Sequence, residues 1–164
     1  MATLVGTQRD ILMALNSMLE LEFDELDAYG AAITRLQSTE YKARLQSFAG
    51  DHERHVNELT TALASMSMVP APKGDLKAFL TKGKVVIGSL AGDAAILRAM
   101  RTNEDDTNAA YQMLVTRSDL PPALTEAIQR SLADERRHHD WIDHVLATAK
   151  TQPSASHPGR YTGV

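Results

Sequence analysis

The chain has no cysteine in its 164 residues. That excludes a disulfide framework, a thiolate metal site and a cysteine nucleophile, and leaves only oxygen and imidazole donors for any metal. Aromatic residues are scarce, at 5% against 43% hydrophobic overall. Ala, Leu and Met carry most of the apolar content, which favours helix over sheet. No run of about 18 uncharged apolar residues occurs, so no membrane partner is expected. Residues 1–10 lack a basic region followed by an apolar run and a small-residue cleavage site, which makes the cytoplasm the expected location. There is no excess of base either. The formal net charge is −4, and Lys and Arg are scattered among Asp and Glu, so nucleic acid is not expected as a partner.

What is present is helical periodicity. Apolar residues recur at helical spacing over residues 8–36, through Ile11, Leu15, Met18, Leu19, Phe23, Leu26, Tyr29, Ile33 and Leu36, which predicts one long amphipathic helix. The short polar stretch Gln37-Ser38-Thr39-Glu40 offers caps, and a second periodic run follows through Tyr41, Leu45, Phe48, His52, Val56, Leu59 and Leu63. A connection that short makes the two helices antiparallel. Pro70, Pro72 and Gly74 then interrupt the pattern, predicting a long crossover with a minor helix over residues 75–81. A third helix is expected from about residue 85 to 116. The turn Ser118-Asp119-Leu120-Pro121-Pro122 leads into a fourth that ends near residue 150. The expectation is therefore an all-α, antiparallel four-helix bundle over residues 1–150, two helical hairpins joined by a crossover. Residues 151–164, rich in Pro, Gly and Ser, read as a flexible tail.

The two hairpins share a weak internal repeat. Glu22 precedes Tyr29 by seven positions, and Glu104 precedes Tyr111 by the same interval. In the fourth helix Glu135 and His138 form a Glu-x-x-His pair, whose members face one side of a helix and can address one ion. The equivalent place in the second helix reads His52-Glu53-Arg54-His55. Each of these groups lies about fifteen residues from its own tight turn, hence ~22 Å along its helix at about 1.5 Å per residue. Glu22, His52, His55, Glu104, Glu135 and His138 are thus expected to converge midway along the bundle. Three carboxylates and three imidazoles suit iron or manganese, and zinc also accepts such a set.

On these residues the chain resembles the ferritin-like superfamily, as found in bacterioferritins and rubrerythrins, and particularly its small bacterial members of uncharacterised function. The resemblance covers about residues 8–150. It implies a ferritin-like fold with two iron or manganese ions per chain, and oxidation of ferrous iron by dioxygen or peroxide in metal homeostasis or stress. By the same analogy Glu22 and Glu135 would each favour one metal, Glu104 would bridge, and Tyr29 and Tyr111 would hydrogen-bond near the carboxylates. One departure stands out, because His52 occupies the place where the family usually has a bridging glutamate. Two divalent ions bring four positive charges against three carboxylates, one short of neutral. Asp51 and Glu25 are the candidates for the missing carboxylate, and a single ion is the other way to balance the charge.

Blander readings exist for the same residues. Glutamates on helices are usually solvated, and buried tyrosines are often ordinary core. His139 and His144 read as outer-face residues, and His157 falls in the tail. A non-enzymatic bundle, whose polar cluster or single ion only sets helix register, is the alternative function. A homodimer through an outer bundle face is compatible with the sequence.

Overall fold

The computed structural model describes residues 3–67 and 90–151. They form four helices, α1 (Ile11–Arg35), α2 (Thr39–Ser65), α3 (Asp93–Val115) and α4 (Pro122–Thr151), with no strand among the described residues. The chain is thus the all-α four-helix bundle expected from the periodicity. α1 packs mainly against α2 and α3 mainly against α4, so each hairpin is a packing unit; α1 and α3 join the hairpins, while α2 and α4 meet least closely of these neighbouring pairs. No helix among the described residues is long and apolar enough to cross a membrane. The expected minor helix over residues 75–81 and the tail beyond residue 151 lie outside the described residues.

Local chemistry sets the helix ends. Asp10 starts α1, its carboxylate accepting from the backbone N–H groups of Leu12 and Met13, and Ser38 caps α2 through Tyr41 N–H. Such caps satisfy donors that a helix start otherwise leaves without partners. Asp93 then ties one hairpin to the other: its carboxylate accepts from Gln37 and Ser38 N–H at 2.7 and 2.9 Å, fastening the α1–α2 turn to the start of α3. The third helix begins eight residues later than the periodicity suggests. Residues 90–92 are not helical, and Gly92 takes φ 84° and ψ 145°, a conformation open to glycine and avoided by other residues. At the other end of the bundle, Arg117 donates to the carbonyls of Gly6, Gln8 and Arg9 and pairs with Asp119. This clamps the segment before α1 onto the α3–α4 turn. Gly6 is needed there, since its φ is 85° and an added Cβ would stand 3.0 Å from the Ala110 carbonyl oxygen.

Two apolar cores fill the bundle, one toward each end. The first gathers Leu15, Met18 and Leu19 of α1 with Leu59, Leu63, Leu114, Ile128 and Leu132. The second gathers Ala32, Leu36, Leu45, Phe48, Ile96, Met100 and Ile142. Each large aliphatic side chain so buried contributes about 1.5–3 kcal/mol relative to exposure. Between the cores lies a layer of buried polar residues, and its cost must be met by pairing within the layer or by a ligand.

Candidate metal centre

Glu22 from α1, His52 and His55 from α2, Glu104 from α3, and Glu135 and His138 from α4 are each at 0% exposure. Their donor atoms form two overlapping groups. Glu22, His52, His55 and Glu135 make one, and His52, Glu104, Glu135 and His138 the other, with the donors of each group within 4.8 Å of one another. His52 lies at the centre: its Nδ1 is 2.8 Å from Glu22 and 3.6 Å from Glu135, and its Nε2 is 3.8 Å from Glu104. His55 Nδ1 is 3.3 Å from both Glu22 and Glu135, and His138 Nδ1 is 3.7 Å from Glu104. All six residues singled out by spacing are therefore brought together. His52 and Glu135 are common to both groups, whereas Glu104, to which the resemblance assigned the bridging place, belongs to one.

Neighbours hold these groups in a crosswise pattern. Tyr111 of α3 donates its hydroxyl to Glu22 at 2.5 Å, and Tyr29 of α1 donates to Glu104, so each tyrosine serves the glutamate of the other hairpin. The histidines are tied in the same way. His138 Nε2 is 3.1 Å from Asp51, and His55 Nε2 is 3.4 Å from Asp134. An imidazole that donates from Nε2 to a carboxylate keeps the lone pair of Nδ1 for the interior, the usual means of aiming a metal-binding histidine. Two arginines close the ring. Arg137 donates to Asp134 and Asp51, each at 2.6 Å, and Arg54 donates to Asp51 at 2.8 Å and to Asp134.

Asp51, a candidate extra ligand, thus stands on the outer nitrogen of His138 and lies outside both donor groups. Glu25, the other candidate, is at 0% exposure. It lies near enough to Tyr29 to help raise its pKa, yet it too is outside both groups. His139 is on the outer side, 3.1 Å from Asp105, and His144 is exposed. Spacing arguments missed Asp134, Arg54 and Arg137. The signal was there as a second repeat: Asp51-His52-Glu53-Arg54-His55 in α2 and Asp134-Glu135-Arg136-Arg137-His138 in α4 carry Asp, Arg and His at the same offsets.

Burial opposes charge on every group in the layer, so each pKa reports whether its partners outweigh that cost. Burial would raise Glu22, but the charge of His52, its hydrogen bond to Glu22 and the nearby His55 bring it down to about 2. Glu104 is held low against burial by His138 and His52. Glu135 goes the other way: burial, with repulsion from Glu104 and Glu22, pushes it well above the carboxylate range despite His52 and His55. For the imidazoles burial is the lowering influence, and the carboxylates overcome it. His52 is raised well above its ordinary value by Glu135 and Glu22, and His55 is raised to about 9. Burial and the adjacent carboxylates keep both tyrosines protonated, as donors must be.

Several inward atoms have no hydrogen-bond partner: His52 Nε2, His55 Nδ1, His138 Nδ1, Glu104 Oε2 and both oxygens of Glu135. Buried polar atoms are nearly always paired, and so many unpaired at one place call for a missing ligand. Imidazole nitrogens and carboxylate oxygens are the donors that divalent transition metals accept, so the residues present fit a metal. The fold and this layer together define a helical bundle with a buried carboxylate–imidazole cluster that can hold a metal ion.

Residues 10–117, more than half of the chain, match the family described as a domain of unknown function (DUF2383). The chain belongs to that family. The matched stretch takes in α1 to α3, with Glu22, His52, His55 and Glu104, and ends before α4 with Glu135 and His138. No curated protein and no solved structure matches the chain.

Proposed function

We propose that this protein is a ferritin-like metal protein whose buried cluster binds iron, two ions per chain, for oxidation of ferrous iron by dioxygen or peroxide. The observation that supports it is the convergence of inward donor atoms left without hydrogen bonds in two four-residue groups that overlap. Two overlapping groups suit two ions better than one. The two groups hold three carboxylates, one negative charge short of two divalent ions; Glu25, at 0% exposure but outside both groups, is a buried carboxylate that would offset the difference. Glu22, His55 and Glu135 would hold one ion and Glu104, His138 and Glu135 the other, with His52 between. Iron bound there would supply the one-electron redox chemistry. The chain's own part is to exclude water through the two apolar cores, to aim the histidines through Asp51 and Asp134, and to hold the carboxylates of Glu22 and Glu104 in place through the hydroxyls of Tyr111 and Tyr29.

A purely structural role is the second reading, and one contact favours it. Glu22 already bonds His52 at 2.8 Å, so part of the cluster offsets its own charge with no ion. The test is metal content per chain after purification without chelators, comparing wild type with a Glu104→Ala, Glu135→Ala double variant. About two ions of iron or manganese per chain, lost in the variant, is the expected result. If wild type takes up no metal even after ferrous iron is added, the cluster is structural.

A further inference from the structure

A buried centre needs a way in, and among the described residues one face of the bundle offers it. The α1–α3 face is crossed by the two tyrosine–glutamate hydrogen bonds, and within each hairpin the helices pack closely. Of the four neighbouring helix pairs α2 and α4 meet least closely, and between them runs a groove of about 600 Å³ whose lining includes Glu53, Arg54, Glu58, Leu124, Ala127 and Arg130. Beside it lies a second, smaller pocket of about 10 Å³. That pocket shares Glu58, Leu124 and Ala127 with the groove and ends on His55, with Ser131 in its wall. It has room for about one water molecule, too little for an organic substrate and enough for a cation that sheds its waters.

Glu58 stands where the two spaces meet, three residues beyond His55 on α2. Its Oε1 accepts from Arg130 of α4 at 2.6 Å, and its Oε2 is buried with no hydrogen-bond partner. The arginines along the groove do not make it a repulsive path. Arg54 is already paired with Asp51 and Asp134, and Arg130 with Glu58 itself. A neutral gas would need no carboxylate at this junction, but a cation leaving water does, because it must replace lost water oxygens with protein ones.

We propose that divalent cations reach the cluster between α2 and α4, and that Glu58 takes them from the groove and passes them to His55, latched by Arg130 when no cation is passing. This rests on the reading of the cluster as a metal centre. A group on the path, unlike a ligand or a distant charge, speeds loading and release alike and leaves the equilibrium affinity where it was.

The experiment uses the full-length metal-free protein and Co²⁺ as probe, following visible absorption by stopped flow for loading, by chelator challenge for release, and by titration for affinity. Glu58→Gln should slow both loading and release by about tenfold, with affinity changed by less than about threefold. Arg130→Gln should load faster than wild type, and Ala127→Leu, which narrows the inner pocket, should slow both rates even if Glu58→Gln folds poorly. Wild-type rates in Glu58→Gln and Ala127→Leu would overturn the route while leaving the metal centre intact. Slower loading with unchanged release would also overturn it, making Glu58 only an attracting charge. Absence of Co²⁺ binding in the wild type would instead remove the metal centre, and the route with it.

Discussion

Replacing Tyr111 by Phe removes one hydroxyl and leaves the ring, its packing and its volume in place. That hydroxyl is buried at 0% exposure and donates to Glu22 at 2.5 Å. Glu22 is ionised in the fold, with a pKa lowered to about 2, so the lost bond is one to a charged acceptor. Hydrogen bonds of that kind contribute about 1.5–3 kcal/mol, and truncating the donor also strands the acceptor away from water. We expect Tyr111→Phe to destabilise the metal-free protein by about 2 kcal/mol, a shift of about 1 M in the urea midpoint for a domain of this size. Tyr41→Phe is the control. The Tyr41 ring packs edge-on against Trp141 at 5.9 Å and has no role in the cluster, so its loss should stay within about 0.5 kcal/mol. Loss of a partner that orients a metal-binding carboxylate also lowers metal affinity, by about 10–100-fold in comparable sites. If Tyr111→Phe costs no more than Tyr41→Phe and binds Co²⁺ as tightly as wild type, the hydroxyl does not support Glu22 and the reasoning fails.

Two further outcomes follow from the same layer. Because His55 is raised in the fold to about 9 from 6.5, the stability it contributes is complete below about pH 6.5 and lost as pH climbs through about 9; His52 shifts in the same direction. Urea unfolding of the metal-free protein should therefore show a falling midpoint across that window, and a flat profile there would contradict the pairing of His55 with Glu135 and Glu22. Asp134→Asn removes the carboxylate shared by His55, Arg54 and Arg137. It should weaken Co²⁺ binding by about tenfold or more with helix content by circular dichroism unchanged, and wild-type affinity would mean the outer ring does not aim the histidine.

Helix number, the antiparallel hairpins and the common depth of Glu22, His52, His55, Glu104, Glu135 and His138 were all legible in the chain. Each depends on a local quantity: the 3.6-residue period, the length of a turn, and the rise per residue from that turn. The start of α3 was less so, because periodicity continues past a break that Gly92 makes through its backbone angles alone. The crossing of partners could not be read in this way. That Tyr29 serves Glu104 and Tyr111 serves Glu22, that Asp51 meets His138 and Asp134 meets His55, and that His52 rather than Glu104 lies between the two donor groups depend on how the hairpins are rotated and offset against each other. A shift of an ångström or two would change every one of these hydrogen bonds while leaving each helix intact. The sequence by itself determined which side chains meet at the centre of the bundle. Only the packing of four helices decided which atom of each faces inward and which is held by a partner, because those choices are made across helices and no spacing along one helix encodes them.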